Sequence, residues 1–502
     1  MTSVAQLLLG IDVGTSGLKA LVLDSAGAAV DEANVPYDTA TPHPGWTEQN
    51  PDDWWNALRV ALWTLWERGL NPASIVAVGL TGQMHSLVLA NRDGTARCPS
   101  ILWSDGRTAA QCRDISQTVG AEQLLRTTGN VALAGFTAPK ILWVRQHWPD
   151  ALAGAAHIFL PKDVIRFRMS GVAATDMSDA SGTLLFDTSE RRWSEGIIGE
   201  LGVDPTLLPA CCEGTDVVAR VSADAGAILG LLPGTPIVAG GGDNAAAAVG
   251  LGAVDPGVLT ISIGTSGVVL APLEQYPANL DGGIQVHCHA IPNRWLAMAV
   301  TLSAGGSLRW LRDLLAPICA GENPTYDQLT AIAGAVPAGS DGLVFLPYLT
   351  GERAPVLDPA ARGVFFGLHA GQGLGHMVRA VLEGVAFSQR QCLEQMQKAG
   401  ATARVIRGAG GGLASPLWRQ IIADVLGVDL QLAEPGMGAA RGAAILAGLG
   451  VGLVDSPGAG VDWSVQPLIH PERSDAAVLD RAFETYQALY PHLKPVFPPA
   501  RE

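Results

Sequence analysis

Basic residues are scarce in this sequence. Lysine and arginine number 32 against 47 aspartates and glutamates, a formal net charge of −15 at pH 7. No basic stripe offers itself to a phosphate backbone, which argues against a nucleic-acid partner. An acidic surface suits a concentrated soluble protein. Any anion bound here must be held by local backbone dipoles and metal ions, not by overall charge. Long apolar runs are also missing. No uncharged stretch reaches the roughly 18 residues of a membrane span. The opening Met1-Thr2-Ser3-Val4-Ala5-Gln6 has no basic region before its apolar run, unlike a secretory signal. A cytoplasmic protein with no membrane partner is the expectation. Cysteine is sparse and odd in number: Cys98, Cys112, Cys211, Cys212, Cys288, Cys319 and Cys392. None are spaced C-x-x-C, so they read as free thiols in a reducing compartment and not as a zinc site. Two nucleotide motifs are absent as well. There is no G-x-x-x-x-G-K-[ST] P-loop, and no G-x-G-x-x-G follows the first strand to support a Rossmann dehydrogenase.

What is present is apolar residues, glycine and repetition. Hydrophobic residues make up 48% of the 502 residues, enough for a large core. At roughly 100–200 residues per domain the length suggests at least two domains. The 60 glycines and 32 prolines follow no period, so they supply turns. Leu7 to Val13 reads as a buried strand, broken by Gly14-Thr15-Ser16-Gly17. Leu18 to Leu23 is a second strand, Asp24-Ser25-Ala26-Gly27 a turn, and a third strand begins near Ala28. Pro51 opens a helix with Asp52 and Asp53 in its first turn, and Gly69 ends it. Ile75 to Leu80 is a strand running into Thr81-Gly82-Gln83-Met84-His85.

The middle of the chain repeats the opening. Pro236 to Gly240 reads as a strand leading into Gly241-Gly242-Asp243-Asn244. Val258 to Ile263 is a strand, Gly264-Thr265-Ser266-Gly267 breaks it, and Val268 to Leu270 resumes. The two Gly-Thr-Ser-Gly turns lie 250 residues apart, as expected of two domains of one design. The boundary is set near Asp255-Pro256-Gly257, giving domains 1–254 and 255–502. The second half closes in βα units. A long helix runs from about His376 toward Gly400, and a strand holds Val405 and Ile406. A loop spans Gly408 to Gly412, and a helix is capped by Ser415 with Pro416 at its first position. A strand near Val428 to Leu432 follows, then Pro435-Gly436-Met437-Gly438 and a helix from Ala439.

Several residues at strand ends can carry chemistry. A Gly-bounded turn presents backbone N–H groups as an anion nest. One copy alone reads as a plain hairpin turn, but two copies after buried strands point to a phosphate chain gripped from both sides, with Gly14, Thr15, Ser16, Gly264, Thr265 and Ser266 as contacts. Asp12 lies in an apolar strand, where a carboxylate is costly unless paired or metal-bound. It reads either as a Mg²⁺ ligand acting through water or as a cap on the turn amides. Lys19 can approach a phosphate or lie solvated on the outer face. Asp243, after three glycines, reads either as a base for a hydroxyl proton or as an Asp closing a turn. Gln83, Met84 and His85, with Trp103 and Asp105, offer the mix of polar and apolar surface that suits a small polyol. A single His or Trp among them is more often core. Gly410-Gly411-Gly412 reads as a bare backbone for an adenine ring or as a loose βα loop.

Together these segments resemble the FGGY carbohydrate kinases over almost the whole chain. Gly10-Ile11-Asp12-Val13-Gly14-Thr15-Ser16 resembles the family's first phosphate turn. Gly135-Phe136-Thr137-Ala138-Pro139-Lys140-Ile141-Leu142-Trp143 resembles one signature. Gly363-Val364-Phe365-Phe366-Gly367-Leu368, continuing to Arg379-Ala380-Val381-Leu382-Glu383-Gly384, resembles the other. Gly82-Gln83-Met84-His85, Trp103-Ser104-Asp105-Gly106-Arg107 and Asp176-Met177-Ser178-Asp179-Ala180 resemble the versions in members that act on xylulose. The resemblance implies an α/β chain of two actin/hexokinase/Hsp70-like (ribonuclease H-like) ATPase domains around a cleft. It implies transfer of the γ-phosphate of ATP to the 5-hydroxyl of D-xylulose. Asp243 would be the base, and Asp243 with Asn244, Gln83, Met84, His85, Trp103 and Asp105 would meet the sugar. Asp12 and Asp243 would serve Mg²⁺. Thr15 and Thr265 would face phosphates, and Lys19, Gly411 and Gly412 would complete the ATP site. One departure stands out: Leu413 and Ala414 occupy positions where relatives usually carry Ala and then a basic residue. Kinases for ribulose, gluconate, glycerol or another polyol, and a non-catalytic sugar sensor, are the competing readings. A homodimer is the expected assembly.

Overall fold

Both halves of the chain build the same sheet. The computed structural model describes residues 6–278, 280–315, 323–434, 436–458 and 461–498. Residues 1–5, Cys319 and Pro435, named above, lie outside the described residues. Strands β1 (Leu7–Val13), β2 (Gly17–Asp24), β3 (Ala29–Pro36), β4 (Ile75–Gly82), β5 (Val217–Arg220), β6 (Pro236–Val238) and β7 (Gly241–Gly242) form the first sheet. Its order is β5-β6-β4-β1-β2-β3, with β7 also paired to β4. Strands β8 (Gly257–Ile263), β9 (Gly267–Leu273), β10 (Gln285–Cys288), β11 (Trp295–Thr301), β12 (Ala403–Ala409), β13 (Asp429–Leu432) and β14 (Leu468–Ile469) form the second. Its order is β10-β11-β9-β8-β12-β13-β14. In each, a hairpin bent at Gly-Thr-Ser-Gly pairs antiparallel, and its first strand takes a parallel neighbour on the other edge, β4 or β12. This is the two-domain α/β architecture of mixed sheets that the resemblance implies.

The helices that matter to the site are α1 (Pro51–Glu67), α2 (Pro161–Ser170), α3 (Asp243–Gly250), α4 (Gly305–Leu315), α5 (Leu374–Lys398), α6 (Pro416–Leu426) and α7 (Ala439–Gly450). Helix α1 starts as its sequence predicts: the Asn50 side chain accepts from Asp52 N–H and Pro51 takes the first turn. Ser415 caps α6 by accepting from Trp418 N–H. Helix α5 runs close to its expected span.

Helix α7 lies in the second half of the chain but packs on the first sheet. It can do so because the contact is made of glycine. A Cβ on Gly10 would sit 1.9 Å from the Ala440 carbonyl oxygen, and one on Gly79 1.9 Å from that of Ala443. A Cβ on Gly442 would sit 1.7 Å from the Ala246 carbonyl oxygen, so α7 and α3 also meet backbone to backbone. The apolar core beneath them joins Leu8, Ala77 and Val249 of the first half to Leu270, Met298 and Ile445 of the second. The two sheets therefore share one seam, and α3 lies in it.

Three local expectations change. The strand expected from Pro236 to Gly240 stops at Val238, because Gly240 turns at φ 80° against the Leu80 carbonyl. Asp243 closes no turn: it is the first residue of α3, whose Ala245, Ala246, Ala248 and Val249 are buried. The loop expected over Gly408 to Gly412 is also shorter, since β12 continues to Ala409 and Gly411–Ala414 form a 3₁₀ turn.

Candidate active site

The register of the first sheet sets two carboxylates around one strand. Asp12 on β1 pairs with Thr81 on β4 from one side, and Gly241 on β7 pairs with the same Thr81 from the other. Two strand spacings separate them, about 9–10 Å, and Asp243 follows two residues later. Burial pushes Asp12 up to about 6, with Lys19 opposing. Burial, and then the Asp12 charge, push Asp243 up to about 7. Asp243 still accepts from Asn244 through its N–H (2.7 Å) and its Nδ2 (2.9 Å). Asp12 caps no turn amide. Its Oδ1 is buried with no hydrogen-bond partner, and such an orphan calls for a cation or water. Among the described residues no cluster of three His, Cys, Asp or Glu could cage a metal. Two carboxylates are what Mg²⁺ usually takes from a protein, with water and substrate phosphate filling the rest. The residues present fit that ion.

The first Gly-Thr-Ser-Gly turn is tight, with Gly14 N–H donating to the Gly17 carbonyl at 3.1 Å. It gathers residues distant in sequence. Trp103 Nε1 donates to Thr15 Oγ1 at 2.9 Å, and Thr15 Oγ1 donates to Gln83 Oε1 at 3.4 Å. Gln49 donates to the Thr15 carbonyl at 2.6 Å and accepts from Gln83 at 2.9 Å. Gln49 carried no signal in the sequence. Ser16 lies exposed in the same turn.

The second turn closes from Gly264 N–H to the Ser266 carbonyl at 3.0 Å. It is strapped to the start of α4. Gly305 N–H donates to the Gly264 carbonyl at 2.8 Å, and Ala304 and Gly306 donate to that of Thr265 at 2.9 and 3.0 Å. A pocket of about 670 Å³ opens beside it, lined by Gly264, Thr265, Arg309, Tyr326, Gly412 and Trp418, among others including Gly411. That volume suits a nucleotide-sized ligand. A Cβ on Gly412 would lie 2.3 Å from Ile263 Cγ2, so bare backbone is required there. Arg309 Nη2 reaches Thr265 Oγ1 at 3.4 Å, and Arg309 is the one cation among the described residues that line the pocket. Sequence reasoning passed over Arg309, Tyr326 and Trp418, because nothing local marks a residue whose partner lies tens of positions away. Arg309 supplies a positive charge in a pocket where Leu413 and Ala414 supply none.

The loop after β4 faces Asp243. Met84 is buried against Gly242, where a Cβ would come within 2.8 Å of Met84 Cγ, and its Sδ lies 3.8 Å from Asn244 Nδ2. His85 holds a left-handed backbone, φ 66°, a strained state for a non-glycine residue. Its carbonyl is clamped there by Thr137 Oγ1 at 3.0 Å and Lys140 Nζ at 2.8 Å, both from the first signature. The His85 Nδ1 meets the Gly182 carbonyl at 2.7 Å, so Nδ1 carries the proton and Nε2 is an acceptor. Burial, then His287, with Lys140 and Arg353, hold the ring neutral. Its centroid is 4.5 Å from that of Phe136 and 5.9 Å from that of His287 on β10.

Two predicted contacts are engaged elsewhere. The Asp105 carboxylate accepts from Thr47 N–H at 2.6 Å and from Arg107 Nε and Nη2 at 2.9 and 2.7 Å. It anchors the Arg107 guanidinium, which stacks 3.7 Å from the Trp46 ring centre. Lys19 sits opposite Asp12 in the β1–β2 register, but its ammonium pairs with Glu32 at 2.6 Å.

The FGGY family of carbohydrate kinases matches over residues 7–250 for its N-terminal domain and residues 259–451 for its C-terminal domain. The xylulose kinase of Escherichia coli (strain K12) is 36% identical over 498 residues, covering 98% of this chain and 100% of that one. The xylulose kinase of Bacillus subtilis (strain 168) is 35% identical over 490 residues, 97% of each chain. The solved xylulose kinase of Rhodospirillum rubrum superposes with a TM-score of 0.90 at 29% identity, covering 98% of this chain and 100% of that one.

Proposed function

The chain belongs to the FGGY family of carbohydrate kinases, and from that premise we propose that it transfers the γ-phosphate of ATP to the 5-hydroxyl of D-xylulose with Asp243 as general base. One observation carries the assignment of the base. Asp243 stands at the first position of α3, beside Asp12 and against the Met84 loop. A carboxyl poised near neutrality is suited to accept a hydroxyl proton. The whole-length likeness to xylulose kinases supports the choice of sugar.

The geometry supports a role for each residue in this reading. Neutral His85 offers Nε2 to a sugar hydroxyl, and Met84 gives the sugar an apolar wall. Thr15, Ser16, Thr265 and Ser266 present hydroxyls and turn amides to the phosphates, and Arg309 adds a positive charge there. The pocket between Gly411, Gly412 and Trp418 takes the adenosine. Asp12 and Asp243 would hold Mg²⁺ through water, and the ion would neutralise the charge of the phosphates. Closure of the two sheets about the α3–α7 seam excludes water and aligns the hydroxyl with the phosphate. Domains 1–254 and 255–502, residence in the cytoplasm and assembly as a homodimer belong to the same proposal. Among the described residues no helix is long and apolar enough to cross a membrane.

The sugar is tested by ADP release over a panel of xylulose, ribulose, gluconate and glycerol. The highest kcat/KM is expected on D-xylulose. A higher value on any of the others overturns the choice of sugar.

A further inference from the structure

Three glycines precede Asp243, and glycine is the residue least able to hold a backbone still. Something must fix Ala239-Gly240-Gly241-Gly242 if Asp243 is to be aimed. The structure answers with a buried charged cluster that contributes nothing to the pocket beside the second turn. Lys162, Asp163 and Arg166 of α2, with Asp176 and Asp179, are all buried. Lys162 Nζ meets Asp163 Oδ1 at 2.8 Å, Asp176 Oδ1 at 2.8 Å and Asp179 Oδ2 at 3.0 Å. Arg166 binds the Asp163 carboxylate and the Ala174 carbonyl.

Two arms leave this cluster and end on the glycine segment. Arg166 Nη1 donates to the Ala239 carbonyl at 2.5 Å. The other arm runs through Ser178. Asp176 Oδ2 accepts from the Ser178 N–H at 2.7 Å and also from its hydroxyl. With its proton given to Asp176, Ser178 Oγ is left as an acceptor, and it takes the Gly242 N–H at 3.0 Å. The segment is thus held at its first carbonyl and its last amide, one residue before Asp243. Between them Gly240 rests on the Leu80 carbonyl, where a Cβ would come within 1.8 Å.

A buried cluster of two cations and three carboxylates is poor economy as a fold stabiliser, because apolar residues of the same volume do that as well or better. Its use lies in where its hydrogen bonds end. We infer that Lys162, Asp176 and Ser178 form a relay of positioning residues that sets the backbone of Gly242 and so aims the Asp243 carboxylate. Lys162 orients Asp176, Asp176 fixes the direction of the Ser178 hydroxyl, and Ser178 holds the amide. The inference rests on the reading of Asp243 as the base. A misplacement of about 1 Å at a reacting group costs roughly 100-fold in rate, so loosening the amide costs turnover before it costs binding.

The test is a double-mutant cycle. Ser178→Ala and Asp243→Ala are made singly and together, and kcat, both KM values and Tm are measured. Ser178→Ala is expected to lower kcat roughly 10- to 100-fold, with KM for sugar and for ATP and the Tm nearly unchanged. In the Asp243→Ala background the same change is expected to cost almost nothing further, since there is no carboxylate left to aim. A kcat within about twofold of wild type for Ser178→Ala overturns the relay, as does an equal loss in both backgrounds. The base reading fails separately, if Asp243→Ala alone keeps wild-type turnover. Ser178→Cys, of similar size but a poor acceptor, runs the same cycle if Ser178→Ala yields no folded enzyme.

Discussion

Asp12 works against the ionisation of Asp243. The two reach the same strand, β4, from opposite sides, through Thr81 in register with Asp12 and with Gly241. Both are raised as acids, to about 6 and about 7. A pair of carboxylates with an orphaned oxygen is a costly arrangement in the free protein. Substrate phosphate with its cation would relieve it, which would tie the cost to function.

The cost can be measured as stability. The folded state keeps the Asp243 proton up to about pH 7, whereas an unperturbed aspartate loses it near 3.8. The folded state therefore binds more protons between those values, and stability falls as pH rises through that window. Asp243→Asn carries no charge at any pH. It is expected to be more stable than wild type at pH 8, by on the order of 2 kcal/mol, and to show no such gain at pH 4. Urea melts of both proteins, metal-free, at the two pH values check this. An equal difference at both would mean that charge is not the cause.

The nucleotide pocket gives a second outcome. Arg309 reaches the second phosphate turn through Thr265 Oγ1, from within the pocket lining. Hydrogen bonds between charged groups contribute roughly 1.5–3 kcal/mol. Arg309→Gln is expected to raise KM for ATP about tenfold or more, with KM for the sugar almost unchanged. Initial rates with each substrate varied in turn separate the two. A rise shared equally by both substrates would place Arg309 in the scaffold.

Much of this site could be read from residues alone, and the reason is local chemistry. The turns at Gly14 and Gly264 each follow a buried strand, and their recurrence is what separates them from plain hairpin turns. The starts at Pro51 and Pro416 follow from proline's fixed φ and the caps before them. Lys162 and Asp163 could not be read in this way. After Pro161 they have the composition of a solvated first turn of a helix, and only the fold buries them against Asp176. Asp105 was read as a sugar contact, and Lys19 as a phosphate contact or a solvated side chain; each is engaged by a partner, Arg107 and Glu32, whose position depends on turn and sheet geometry. The helix that opens at Asp243 was hidden because three glycines outweigh the alanines after it, which bury as helix against α7.

Buried neutral histidines set the acid limit. His287 and His289 are both held down to about 4, chiefly by burial. The unfolded chain takes up these protons near pH 6.5 and the folded one only near 4. The stability these two histidines contribute is therefore full above pH 6.5 and is lost as pH falls toward 4. His287→Phe keeps a flat ring without the titration. It is expected to lose less stability than wild type between pH 7 and pH 5, by roughly 1–2 kcal/mol. Melting curves at the two pH values decide it, and equal losses would remove His287 from the account.

The most direct test of the central claim is the turnover of Asp243→Ala beside its sugar affinity. Binding of D-xylulose is measured without ATP, and kcat from ADP release with both substrates saturating. The account predicts a loss of roughly 10²- to 10⁴-fold in kcat, with sugar affinity changed only a few-fold. Turnover near the wild-type value would contradict it.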